Sequence, residues 1–452
     1  MLTPLRRPSV GFLSLSGWLI GFCASVLADQ VFFLSLTWAA LQVGPPEQVG
    51  LVLAAGSIPR LLLLLVGGAV ADKASPKRVI IGTDTGRALV MGGAAIALML
   101  GSLSSWQLIL VALAIGALDG LFLPAIGALP ARIAPQHMMA RVAAMRTVTQ
   151  RAAMLFGGPL AGWAIYLYGA YAAFWLSAGL FALSVASLAL VTIPPLSAGS
   201  SRHRAPSATA APQVGSAAAL PPRRSPKAIA AGVRRTSRTF VDDVGEGLQM
   251  VRRHPVLPWL LLLIAGMNFG FAGPVTAGLP LLSANGQWGA RGAGLLLGGF
   301  GLGATVMGLG LVFVRWLPRA GWVALTSVLT MGLALTSLSV VQTFPSALMS
   351  TIVLGLASGV FGTVVHAMIL TNTPDSDLGR VMALLSLSIE GVVPLSFAAT
   401  GVLAAAVDVR ATFVVGGLII VATTLAAATR PRLRSFELVR DQDRVKRGAP
   451  AH

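Results

Sequence analysis

The chain of 452 residues has one cysteine, which excludes a disulfide framework and a cysteine metal cluster. Cys23 stands inside an apolar stretch and reads as a small core side chain. Charge is scarce too: 11% of the residues are charged, against about 25% in a soluble domain. Acid is the scarcer sign, with 15 Asp and Glu against 33 Lys and Arg. His366 stands alone in an apolar run, with no Cys or His at ligand spacing. Neither a nucleophile elbow nor a catalytic carboxylate pair is present. The glycine-rich run from Gly292 to Gly310 lacks the preceding strand of a phosphate-binding loop, and its Gly294/Gly298 spacing points to close helix packing. An enzyme is therefore not expected, and no cofactor or metal is implied.

What is abundant is apolar sequence, 55% of the chain, with a mean hydropathy of +0.81. Twelve runs are long enough to cross ~30 Å of hydrocarbon. They are 11–41, 48–71, 79–100, 106–129, 142–166 and 172–193, then 256–282, 292–316, 323–341, 346–371, 381–405 and 411–428. The two sets of six share a repeat at an offset of 239 residues: Gly116/Gly355, Gly120/Gly359, Phe122/Phe361, Pro135/Pro374, Arg141/Arg380 and Gly162/Gly401. A gapless offset between halves predicts a parallel duplication of one helical bundle.

All but six of the 33 Lys and Arg fall in the tails and in loops on one side. Arg291 and Arg410 lie in loops on the other side, and Arg60, Arg87, Arg146 and Arg151 lie within spans. The bias predicts a multi-pass protein of the cell (inner) membrane with both termini cytoplasmic, and it explains the positive charge without nucleic acid. The expected divisions are 1–193, a six-helix bundle; 194–238, a disordered linker with little apolar content; 239–255, an amphipathic interfacial helix; 256–430, a second bundle; and 431–452, a basic tail.

The loop Gly68-Ala-Val-Ala-Asp72-Lys73-Ala-Ser75-Pro76-Lys77-Arg78 resembles the signature loop of the major facilitator superfamily, although Ser75 and Pro76 depart from its Gly and Arg. Gly158-Pro159-Leu-Ala-Gly162 resembles the core of that superfamily's antiporter motif. Pro59-Arg60, Asp84-x-x-Arg87, Phe122-x-Pro124-Ala125 and Gly379-Arg380-Val381 narrow the resemblance to the enterobactin exporter and macrolide efflux group of drug:proton antiporters. It implies two six-helix bundles around a central cavity, alternating access, and proton-coupled export of small lipophilic molecules by a monomer. An uptake carrier or lipid flippase of the same fold is the alternative, and a non-transporting membrane scaffold or sensor is the third class.

Ionisable residues forced into a bilayer cost at least ~2.5–3.5 kcal/mol at the helix centre and mark functional positions. Asp29, Asp119 and Glu390 are the proton-coupling candidates, with Asp29 first because its span holds no other charge. Asp84 and Arg87, three apart on one helical face, read as a local pair. By the resemblance, Asp72 caps the eleventh span near Arg380 as part of an inner gate, with Lys77 and Arg78 in the same loop. Arg60 either reaches Glu390 across the halves or pairs within its own half, and Arg151 occupies the repeat position of Glu390. The expected cavity residues are Phe33, Trp38, Phe122, Met267, Asn268, Phe271, Phe361 and His366. The seventh span, interrupted by Gly270, Gly273, Pro274 and Pro280, is expected to bend there.

Overall fold

The computed structural model describes residues 10–73, 75–101, 103–133, 138–191, 256–311, 319–372 and 378–434. The linker, the amphipathic segment at 239–255 and the tail beyond 434 lie outside the described residues. The first bundle contains α1 (Val10–Val43), α2 (Pro46–Lys73), α3 (Pro76–Leu100), α4 (Ser105–Ala128), α5 (Met139–Tyr168) and α6 (Ala170–Ala189). The second contains α7 (Leu257–Gly273, continued to Asn285), α8 (Gly289–Gly310), α9 (Ala320–Ser337), α10 (Phe344–Asn372), α11 (Leu378–Glu390 and Val393–Ala406) and α12 (Val409–Ala428). The helix bounds follow the apolar runs to within a few residues. This is an all-α membrane architecture of two six-helix bundles.

Eleven of these helices are long and apolar enough to cross a membrane. The remaining one, α5, is as long as its neighbours but carries Arg141, Arg146 and Arg151, which lower its hydropathy. Packing holds it in place: α5 lies against α1, α6 and α8. The end of the bundle where α1 begins is called the near end below, and the opposite end the far end. Gly169, at φ +89°, permits the one-residue turn between α5 and α6 at the far end.

The repeated glycines have matching uses in the two halves. Gly116 and Gly120 seat α4 on α2, where a Cβ at 120 would stand 2.7 Å from the Arg60 carbonyl oxygen. Gly355 and Gly359 seat α10 on α8, where a Cβ at 359 would stand 2.8 Å from the Ala304 carbonyl oxygen. The third pair closes the seams between halves. A Cβ at Gly162 would meet the Ala290 carbonyl oxygen on α8 at 2.6 Å, and one at Gly401 would meet Gly50 Cα on α2 at 2.8 Å. In hydrocarbon, where apolar burial gives no net drive, close backbone approach supplies the packing energy.

Two helices are interrupted. In α7 the run Pro274–Gly278 widens to a π-helical turn, as a proline without an N–H allows. Ser396 of α11 bridges the break, accepting from Gly273 N at 2.8 Å and donating to the Phe269 carbonyl at 2.6 Å. α11 breaks at Gly391–Val392, immediately after Glu390 and just before Pro394.

The second bundle has one continuous apolar core, including Leu260, Val328, Leu354 and Phe413. The first has two principal cores: Trp18, Phe22, Ile80 and Ile126 toward the near end, and Phe32, Met91, Ile115 and Phe174 toward the far end. A polar layer on α1, α3, α4 and α6 lies between them.

Candidate functional site

Arg87 of α3 is the centre of that layer, and its side chain is fully buried. Its Nη1 donates to Asp29 Oδ1 at 2.9 Å and to Asp119 Oδ1 at 2.8 Å. Its Nη2 donates to Ser25 Oγ at 3.2 Å and to Asp84 Oδ1. Ser184 Oγ donates to the other Asp84 oxygen at 2.5 Å. The rings of Phe122 and Phe181 cover the guanidinium at 4.1 and 4.5 Å, favourable cation–π contacts in a dry site. Arg87 Nε is buried without a hydrogen-bond partner. The three carboxylates converge on a guanidinium, and among the described residues no group of His, Cys, Asp or Glu is placed to hold a metal.

The layer therefore carries one cation and three carboxylates. One guanidinium balances one carboxylate, so with all three ionised two negative charges would have no compensating cation within it. Their exposure differs: the side chain of Asp29 is 21% exposed, that of Asp119 8% and that of Asp84 0%. The i,i+3 pairing of Asp84 with Arg87 is present, but sequence reading missed the other partners, which lie 58 and 32 residues away. Matching charges by depth gives a usable signal: Asp29 and Asp119 fall near mid-span with no cation on their own helices, and Arg87 lies at that depth on α3.

The second ionic contact joins the halves. Arg60 Nη2 of α2 lies 3.4 Å from Glu390 Oε1 at the break in α11, so of the two alternatives for Arg60 the structure makes the contact across the halves. Arg60, Asp119 and Glu390 line a small cavity with Phe32, Phe33 and Phe397. Asp119 thus touches both the Arg87 layer and the space between the halves. Phe33 and Phe397 also border a second cavity of about 210 Å³, walled by Gln30, Met154, Phe271 and Phe300. A third, of about 230 Å³, contains Arg151, Met267, Asn268, Ser358, Phe361 and His366. It lies beside α5, α7, α10 and α11 from mid-span toward the near end.

Trp38 packs with Val31, Leu34 and Ala161, while Phe122 lies on Arg87; neither lines these three cavities. Gly158, Pro159 and Gly162 form the seam with α8: a Cβ at Gly158 would stand 2.7 Å from Leu297 Cβ, and one at Gly298 2.6 Å from Pro159 Cγ. The antiporter-like segment and the glycine-rich span are thus the two faces of one contact. Lys77 Nζ donates to the carbonyls of Ala189 at 3.0 Å and Val191 at 2.5 Å, closing the C-terminal end of α6. Arg78 is exposed. The side chains of Asp72 and Arg380, and with them the expected gate contact, lie outside the described residues.

The close approaches between halves are unevenly distributed. On α5 and α8, backbone meets backbone from Gly162 to Met154, but at Gly308 the neighbour is only the Arg151 side chain. On α2 and α11 the close approach, Gly50 against Gly401, is toward the far end.

The sequence profile described as Major Facilitator Superfamily matches residues 18–321. The multidrug efflux pump Tap of Mycobacterium tuberculosis is 25% identical over 436 residues, covering 92% of this chain and 93% of that protein. An uncharacterised MFS-type transporter of Bacillus subtilis, YfiS, is 27% identical over 190 residues, covering 42% of this chain and 44% of its own length. Among solved structures, a D-xylose-proton symporter superposes with a TM-score of 0.65 at 15% identity, covering 95% of this chain and 99% of that one; at that identity the likeness concerns the fold alone.

Proposed function

The chain belongs to the major facilitator superfamily, and from that premise we propose that it is a secondary transporter, exporting small lipophilic molecules in exchange for protons. The observation that carries the coupling is the Arg87 layer. A proton arriving on Asp29 or Asp119 removes one of the two uncompensated negative charges, and its departure restores it. Asp29, the most exposed of the three, exchanges first. One proton moving down 100 mV releases ~2.3 kcal/mol, enough for a roughly 50-fold concentration ratio before any pH gradient is counted.

Alternating access follows from the two seams. Two cavities lie from mid-span toward the far end, but the backbone seams close toward that end and the third cavity runs from mid-span toward the near end, which favours a state open to the near side. The Lys and Arg bias makes that side the cytoplasm, so substrate enters here from within, and the protein acts as a monomer in the inner membrane. Full-length similarity to a multidrug efflux pump favours export. Deletion of the protein should then raise cellular retention of toxic lipophilic compounds; lower retention would mark an uptake carrier. For the coupling, protein in liposomes with an imposed pH gradient is the measurement. Asp29→Asn keeps an acceptor for Arg87 and should abolish gradient-driven accumulation while substrate binding survives. Persistent gradient-driven transport would remove Asp29 as the obligatory proton carrier.

A further inference from the structure

The α5–α8 seam holds a positive charge that the charge layer does not use. Among the described residues, the ion pairs are Arg60 with Glu390 and Arg87 with its three aspartates; Arg151 makes none. The repeat sharpens the contrast, because the position corresponding to Arg151 in the second copy is Glu390. One seam neutralises its own charge, and the other presents a free cation.

The seat of that cation is built by glycine. Arg151 leaves α5 and lies across two helices of the other half: a Cβ at Gly308 of α8 would stand 3.5 Å from its Nη2, and one at Gly362 of α10 3.9 Å from the same atom. The residue then lines the third cavity, whose walls contain no Asp or Glu among the described residues. Asn268 and Ser358 share this cavity with it. They stand, at the repeat offset, where the first half has Asp29 and Asp119. Asn268 Nδ2 donates to the Ile264 carbonyl at 2.9 Å, leaving its Oδ1 and second N–H for a guest. His366 adds a ring one turn beyond Gly362, and Phe361, Val365 and Ile389 make the rest apolar.

A guanidinium offers paired donors matched to planar or tetrahedral oxyanions, and a cation in a low-dielectric cavity attracts an anion far more strongly than one in water. We infer that this cavity holds the acidic group of the transported molecule, a carboxylate, sulfonate or phosphate joined to an apolar body, with Arg151 as its counter-ion. The inference rests on the reading of these cavities as the substrate path.

The test uses two dyes with the same ring system, 1-anilinonaphthalene-8-sulfonate and N-phenyl-1-naphthylamine, which lacks the sulfonate. Saturable binding to the full chain in phosphatidylcholine nanodiscs is measured above that of empty discs. Wild type should bind the sulfonate at least tenfold tighter than the neutral dye. Arg151→Gln should lose that preference, with neutral-dye binding and thermal unfolding as fold controls, and Arg151→Lys should retain most of it. Ser358→Asp, which places a carboxylate in the same cavity, should also erase it without removing the arginine. Equal affinity of wild type for the two dyes, or sulfonate binding unchanged in both Arg151→Gln and Ser358→Asp, overturns the inference. The gap between wild type and Arg151→Gln should persist when phosphatidylglycerol replaces half the lipid; its disappearance assigns the seat to a lipid head group and overturns the substrate reading. Binding is read without transport, so the two readings fail separately: sulfonate preference without export of the dye from loaded vesicles overturns the exporter, and export without the preference overturns the acidic-group seat.

Discussion

The two halves share helix order, glycine seats and seam geometry, yet differ in what divides their cores. In the first, a layer of one arginine and three aspartates separates a near-end core from a far-end core. In the second the apolar core is continuous, and Ser358 stands where the first half has Asp119. Glycine packing positions are shared between the repeats while charge is not: Arg151 of the first copy corresponds to Glu390 of the second. The cluster of aspartates is confined to one half, and most of the third cavity's lining comes from the other.

The comparison breaks most severely at Arg87. Arg87→Met leaves three carboxylates, two of them buried, with no cation in the layer, and loss of one partner of a buried pair costs ~3–5 kcal/mol, so membrane yield and thermal stability should collapse. Thr326→Met, at the same repeat offset on α9 but exposed, should change stability little. If both variants are equally stable, the layer does not organise the first half.

Glycines separate folding from closure. Gly116→Val forces a Cβ into the carbonyl of Gly56 inside one bundle and should destabilise by at least ~1–3 kcal/mol. Gly162→Val meets α8 across the seam, so it should reduce transport at least tenfold with a smaller loss in thermal unfolding. The reverse ranking would mean that the seams, not the bundles, carry stability.

Glu390→Gln removes the ionic contact between halves. Both partners are about one quarter exposed at 3.4 Å, so the stability change should be below ~1 kcal/mol, while transport rates shift several-fold as the balance between access states moves. Rates unchanged to within error would leave the pair without a role in gating. The smallest effect is expected from deleting residues 197–222 within the linker, whose composition cannot supply a packed core; transport should stay near normal, and its loss in a well-inserted protein would contradict this.

Much of the fold was legible because hydropathy and the repeat report the same architecture independently. The helix α5 shows the value of the second signal: its arginines depress hydropathy, but Gly162 and its counterpart Gly401 mark it as one member of a duplicated pair. The ionic site was legible in part. Asp29, Asp119, Arg60 and Glu390 announced themselves by their cost in a bilayer, and Arg60 had its cross-half partner among the alternatives. Arg87 was read with Asp84 alone, since i,i+3 spacing is visible in one dimension while contacts across four helices are not.

The sequence by itself determined the class, the twelve helices, the duplication and the roster of buried charges, because each follows from solvent cost or from spacing along the chain. Only the tertiary structure decided which charges share a site. Helix rotation and the close approaches allowed by single glycines brought three aspartates from three helices onto Arg87, joined Arg60 to Glu390, and laid Arg151 across Gly308 and Gly362 with no acid beside it among the described residues. Those are distances between helices, and no local pattern of residues encodes them.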